Sequence, residues 1–130
     1  MAEYASEVQL INISSNRRED KTSPVNAHEQ SLFRGMAGQL SWLAQQCCPK
    51  LVAPLSLLMG ETNCATVDTL MRISKLARQA LKWADEPLCI HVHKNPVVVG
   101  WSDGGWTTRK DGTSQLGYLV GVADVEMLQA

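Results

Sequence analysis

The stretch Pro96-Val97-Val98-Val99-Gly100-Trp101-Ser102-Asp103-Gly104-Gly105-Trp106 decides how the chain is read. It is a run of β-branched residues that ends on one carboxylate set between glycines and tryptophans. Three consecutive valines leave no polar side, so Val97 to Val99 reads as a strand buried on both faces. Asp103 falls where that strand runs out, and Gly104 and Gly105 leave room beside it. An acid at a strand end suits a metal ligand, but Asp before Gly is also ordinary turn chemistry. On these residues alone both readings stay open.

Downstream, residues 107–114 are polar, with Asp111-Gly112 at the tip of a hairpin loop, and Leu116 to Val122 return as a second strand. Upstream, Leu88 to His93 is a strand candidate, and Lys94-Asn95-Pro96 is a turn into the valines. Alternation would place Cys89, His91 and His93 on one face. That arrangement allows a Cys-x-His-x-His metal site or describes a half-buried strand with a polar side, and no fourth ligand is indicated.

Before the hairpin the pattern is helical. From about Ala27 to Cys48, Leu32, Phe33, Met36, Leu40 and Leu43 recur at helix spacing. Gly35 and Gly38 each weaken such a helix by ~1 kcal/mol relative to alanine, which suggests close packing against another element. Pro49 ends this segment or opens the next. Lys50 to Met59 supplies Leu51, Val52, Leu55, Leu58 and Met59, Gly60 is a C-cap candidate, and Pro54 predicts a kink or a late helix start. A further helix runs over Val67 to Ala84, with Thr66 as N-cap. Val67, Leu70, Ile73, Ala77, Ala80, Leu81 and Ala84 fill one sector of its wheel, while Arg72, Lys75, Arg78 and Lys82 fill another. That basic ridge is either a solvated face or a track for phosphates.

Val8 to Ile13 alternates as a short strand would, with Val8, Leu10 and Asn12 on one side. Residues 14–24 are polar and charged, an exposed linker in which Arg17-Arg18 reads as part of a solvated loop in preference to a phosphate contact. With 130 residues the chain is one ordinary domain or pieces of two, and a net charge of −1 excludes a global pull toward nucleic acid or membrane. No window reaches the ~18 apolar residues of a membrane span. The acidic start lacks a signal peptide's features, so an intracellular location is expected. Cys47, Cys48, Cys64 and Cys89 show no paired Cys-x-x-Cys spacing and are expected as free thiols.

Three stretches, taken in order, resemble a known polyprotein. Leu32-Phe33-Arg34-Gly35-Met36-Ala37-Gly38-Gln39-Leu40-Ser41-Trp42-Leu43-Ala44 is similar to a leucine- and glycine-bearing helix of copia-type retrotransposon polyproteins. Trp101-Ser102-Asp103-Gly104-Gly105-Trp106 resembles the family's serine-aspartate-alanine-x-tryptophan strand end. Arg109-Lys110-Asp111-Gly112-Thr113-Ser114-Gln115-Leu116-Gly117-Tyr118 resembles its arginine-lysine hairpin. The likeness covers roughly residues 7 to 122. Cys48-Pro49-Lys50 keeps only the proline of the family's Arg-Pro-Asp, and Gly104 stands where alanine is usual.

The resemblance implies an α+β chain in three parts. Residues 1–26 would be an N-terminal strand and polar linker, and 27–86 the helical end of a reverse transcriptase region. Residues 87–130 would be the first hairpin of a ribonuclease H-like domain, truncated. It further implies Mg2+ chemistry in which Asp103 is the first of several carboxylates, acting as metal ligand and catalytic residue. Partners would be an RNA–DNA hybrid or template–primer duplex, held in part by Arg72, Lys75, Arg78 and Lys82, and the rest of the polyprotein. The other family carboxylates have no placed counterpart here, so catalysis by this chain alone is not expected. Two further readings are a small nucleic-acid-binding module built on the basic helix and a host protein-interaction domain.

Overall fold

A computed structural model describes residues 2–86, 89, 92–105 and 112–128. The chain divides into two compact units, Met1–Leu88 and Cys89–Ala130. The fold is α+β: among the described residues there are five α-helices and one two-stranded antiparallel sheet. Among the described residues no helix is long and apolar enough to cross a membrane.

The first unit is helical. It comprises α1 (Ala2–Ser6), α2 (Ser15–Glu19), α3 (Ala27–Gln46), α4 (Val52–Gly60) and α5 (Val67–Trp83). Helix α3 starts at a reciprocal cap: Asn26 Oδ1 accepts the Glu29 N–H at 2.9 Å, and Glu29 Oε2 accepts the Asn26 N–H at 2.8 Å. Its inward stripe is Phe33, Met36, Leu40 and Leu43, all buried. Leu32, expected on that stripe, lies at its edge and is partly exposed. Gly35 and Gly38 pack against nothing: a Cβ at either would meet no heavy atom within 4 Å. The close approach expected of them is therefore absent.

A 3-10 turn, Pro49–Leu51, leads into α4. Pro54 lies in the first turn of α4, where an N–H has no intrahelical acceptor to lose, so the proline fits without a break. Gly60 is the last residue of α4 rather than a left-handed cap, and Glu61 closes the helix through its N–H to the Leu58 and Met59 carbonyls. Helix α5 buries Val67, Leu70, Ile73, Ala77 and Ala80 in the same core as α3, and Thr66 caps it, its N–H reaching Thr69 Oγ1 at 3.2 Å.

Two expectations for the N-terminal part fail. Residues 8–13 form no strand, because no neighbouring strand offers a ladder. Instead Val8, Ile11 and Ile13 insert into the helical core, while Leu10 and Asn12 face out, so the expected alternation is also wrong. Residues 14–24 are not a free linker. They hold α2, and their carbonyls cap α5: Ser23 accepts the Val67 N–H at 3.1 Å and Lys21 the Asp68 N–H at 2.9 Å. Those two N–H groups belong to the helix's first turn and have no partner within the helix.

The second unit is a hairpin of β1 (Pro96–Gly105) and β2 (Gln115–Asp124), running in register from Pro96 opposite Asp124 to Gly105 opposite Gln115. Gly112 has φ +77°, which fits the expected turn, since left-handed backbone favours glycine. The valines are not buried on both faces. Val97 and Val99 are half-buried, whereas Val98 is 76% exposed, because a two-stranded ribbon has no layer over its second face. Cys89, Val92 and His93 are in irregular backbone. The other residues of the expected strand from Leu88 to His93 lie outside the described residues, as do Trp106, Arg109, Lys110 and Asp111.

Candidate nucleic-acid interface and carboxylate seat

The basic sector of α5 separates into two parts. Lys75, Arg78 and Lys82 follow spacings of three and four residues, so their side chains lie along one face. All three are exposed, and none pairs with a carboxylate among the described residues. Arg72 is different. Its Nη1 sits 2.8 Å from Glu61 Oε1 and 3.0 Å from Oε2, with Asp68 Oδ2 at 3.9 Å. Glu61 also accepts from Thr69 Oγ1 at 2.9 Å. Arg72 therefore ties the end of α4 to the start of α5, and its charge is already answered. Three of the four expected phosphate-contacting residues present an uncompensated positive face; the fourth is occupied with holding two helices together.

Asp103 lies on β1, opposite Gly117 and two residues before the strand ends, rather than at the terminus itself. It is exposed. Gly104 leaves ordinary space beside it: an added Cβ would come within 3.9 Å of Leu116 Cδ1. Asp124, the next acid among the described residues of the unit, is set opposite Pro96. Seven residue pairs separate it from Asp103, about 23 Å along the ribbon at ~3.3 Å per residue. No metal could be shared between them in this hairpin.

Asp124 serves the base of the hairpin instead. Its Oδ1 accepts the Asn95 N–H at 2.8 Å, and its Oδ2 lies 3.3 Å from His93 Nδ1. The backbone N–H of Asn95, and after it His93, holds the carboxyl below the usual aspartate range against a partial loss of solvent. His93 is thus engaged by Asp124; of its two proposed co-ligands, His91 lies outside the described residues. Among the described residues no group of three His, Cys, Asp or Glu is disposed to hold a metal ion. Magnesium favours near-octahedral oxygen coordination, and one exposed carboxylate does not supply it. Among the described residues, Asp103 alone does not make a tight Mg2+ site.

No family model, curated protein or solved structure matches this chain.

One important contact was not read from the sequence. Arg17, taken as part of a solvated loop, donates from Nε to Glu29 Oε1 and from Nη2 to Glu29 Oε2, both at 2.9 Å. It also reaches Ser23 Oγ at 2.6 Å and the Pro24 carbonyl at 2.7 Å. The Asn-x-x-Glu pattern at 26–29 was the available signal, since it marks a helix start that fixes Glu29 in place for a partner.

Proposed function

We propose that the chain is part of a copia-type retrotransposon polyprotein, spanning the end of the reverse transcriptase region and the first hairpin of a ribonuclease H-like domain, without catalysis of its own. One observation supports this most. Both strands of the hairpin carry large apolar side chains in water, with Leu116 74% and Tyr118 81% exposed, and Trp101, Leu119 and Val120 more than half exposed. A ten-residue apolar ribbon with two open edges suits a place inside a larger sheet. Asp103 then has the position of a first carboxylate awaiting its co-ligands and Mg2+.

Two measurements test the reading. Sequencing the transcript across the reading frame should find reverse transcriptase coding before it and further ribonuclease H carboxylates after it. Host coding on both sides overturns the assignment. Incubating the purified chain with an RNA–DNA hybrid and Mg2+ should give no cleavage that Asp103→Asn removes; robust Asp103-dependent cleavage overturns the absence of catalysis.

The exposed face of Lys75, Arg78 and Lys82 favours a second reading, in which the helical unit binds nucleic-acid duplex through phosphates. Such binding releases counterions, so affinity should fall steeply with salt. Each of Arg78→Ala and Lys82→Ala should weaken it for any sequence and reduce the slope of log K against log salt by roughly one. Salt-independent or absent binding rules this reading out.

A further inference from the structure

We propose that a small pocket between the N-terminal segment and α5 is a seat for a single phosphate group. Its lining is Ile11 and Ile13 from the irregular segment, Arg18 from α2, and Met71, Ser74 and Arg78 from α5. The decisive residue is Ser74. It is 2% exposed, and its Oγ has no hydrogen-bond partner among the described residues. Buried side-chain oxygens nearly always have a partner, so this one points to a group that the chain does not itself supply.

The surroundings specify the chemistry of that group. Two arginines line the pocket and no acid does, which excludes a cation. Neither Arg18 nor Arg78 forms an ion pair among the described residues, in contrast to Arg17, which is paired with Glu29. Two arginines and a serine hydroxyl lining one pocket are the residue types that recognise a tetrahedral oxyanion, and planar guanidinium favours phosphate in particular. Ser74 and Arg78 are four residues apart, which places them on one face of α5. Apolar walls from Ile11, Ile13 and Met71 lower the local dielectric and strengthen each charge-assisted bond. The volume is about 100 Å3, below the ~300 Å3 at which pockets for whole small molecules begin, so a nucleoside is excluded and one phosphate group is admitted.

The phosphate can come from solution or from a nucleic-acid backbone. Only the second source rests on the duplex-binding reading above. The test uses the full chain titrated with inorganic phosphate in chloride buffer, followed by calorimetry and by amide chemical shifts. Phosphate should move the signals of Ile13, Arg18, Ser74 and Arg78. Arg18→Ala should weaken binding by about tenfold, and Ser74→Ala by several-fold, in line with loss of a bond to a charged group. Arg34→Ala, an equal change of charge on α3, should leave it unaltered. Ser74→Ala removes only a hydroxyl without a partner, so its thermal midpoint should not fall, which separates lost binding from lost folding. Shifts confined to other residues, or phosphate binding indifferent to both Arg18→Ala and Ser74→Ala, overturn the proposal. A parallel titration with an RNA–DNA hybrid identifies the source. Weaker hybrid binding in Arg18→Ala supports a backbone phosphate in the seat. Phosphate binding that depends on Arg18 without any hybrid binding supports a free phosphate, and then the duplex reading alone fails.

Discussion

Arg17 grips Glu29 with two parallel hydrogen bonds, each 2.9 Å, across twelve residues of chain. The same Glu29 carboxylate accepts the Asn26 N–H that closes the start of α3. One acid therefore joins the cap of the longest helix to the segment that carries α2. The Arg17 guanidinium holds the Glu29 carboxyl below the usual glutamate range, opposed by partial burial and aided by the Asn26 N–H.

That lowering sets an acid-side prediction. A carboxyl whose pKa is lower folded than unfolded adds stability that is complete above its unfolded value, about 4.3, and that is lost as pH falls through the folded value. Glu29→Gln should therefore flatten the fall in stability of the helical unit below about pH 4.3. Glu29→Ala, which also removes the cap contact, should cost about 2 kcal/mol at neutral pH. Urea melts at several pH values check both, and an unchanged acid slope in Glu29→Gln would show that the pair contributes nothing.

Gly35 and Gly38 give a prediction of opposite sign. Both lie mid-helix in α3, both are exposed, and each has open space where a Cβ would go. Gly35→Ala and Gly38→Ala should each stabilise the helical unit by about 1 kcal/mol, since alanine restores helix propensity without a clash. The two sites are three residues apart and so neighbours on one helix face, inside the range where additivity fails, and the double variant measures their coupling. A thermal midpoint that falls in either single variant would mean that another surface needs the glycine.

What could be read from the sequence followed what is local. Apolar spacing located α3 and α5, Thr66 marked the start of α5, and Asp111-Gly112 marked the hairpin, because helix wheels and turns depend on neighbours in the chain. Readings that required a partner failed. Val8 to Ile13 has strand-like alternation, but a strand needs another strand, and the core offered a place for three side chains instead. The basic sector of α5 was legible as a sector. That Arg72 belongs to Glu61 while Lys75, Arg78 and Lys82 pair with no carboxylate among the described residues depends on where α4 ends in space. Ser74, a small polar residue inside an otherwise ordinary helix, carried no signal at all until its hydroxyl was found buried.

The cysteines differ in a way that a thiol reagent can read. Cys64 and Cys89 are exposed, Cys47 is partly covered, and Cys48 is buried. Burial pushes the Cys48 thiol up, with the neighbouring Cys47 adding to the effect, and the thiolate is the form that reacts. In the native protein at pH 7.5–8, Cys64 and Cys89 should label first and Cys48 only on unfolding. Peptide mapping of the modified chain checks the order. Rapid native labelling of Cys48 would place the 3-10 turn after it outside the stable core.

The hairpin offers the sharpest test of how far the second unit is self-supporting. Gly112, at φ +77°, is where an L side chain would be strained, so Gly112→Ala should destabilise the hairpin by about 1 kcal/mol while Gly112→Asn should cost less. At the other end, Asp124→Asn should loosen the contacts to Asn95 and His93. Because the Asp124 carboxyl is held below its usual range, that contribution is complete above about pH 3.9 and fades as pH falls through the lowered value. Amide exchange of Val99 and Val120 reports both ends at once. An isolated two-stranded ribbon is marginal in water, so either change should raise exchange through most of β1 and β2, not only near the substitution. Exchange that stays slow across the strands after Gly112→Ala would mean that something other than the turn holds them, and the exposed face of Leu116, Tyr118 and Val120 would be the first place to look for it.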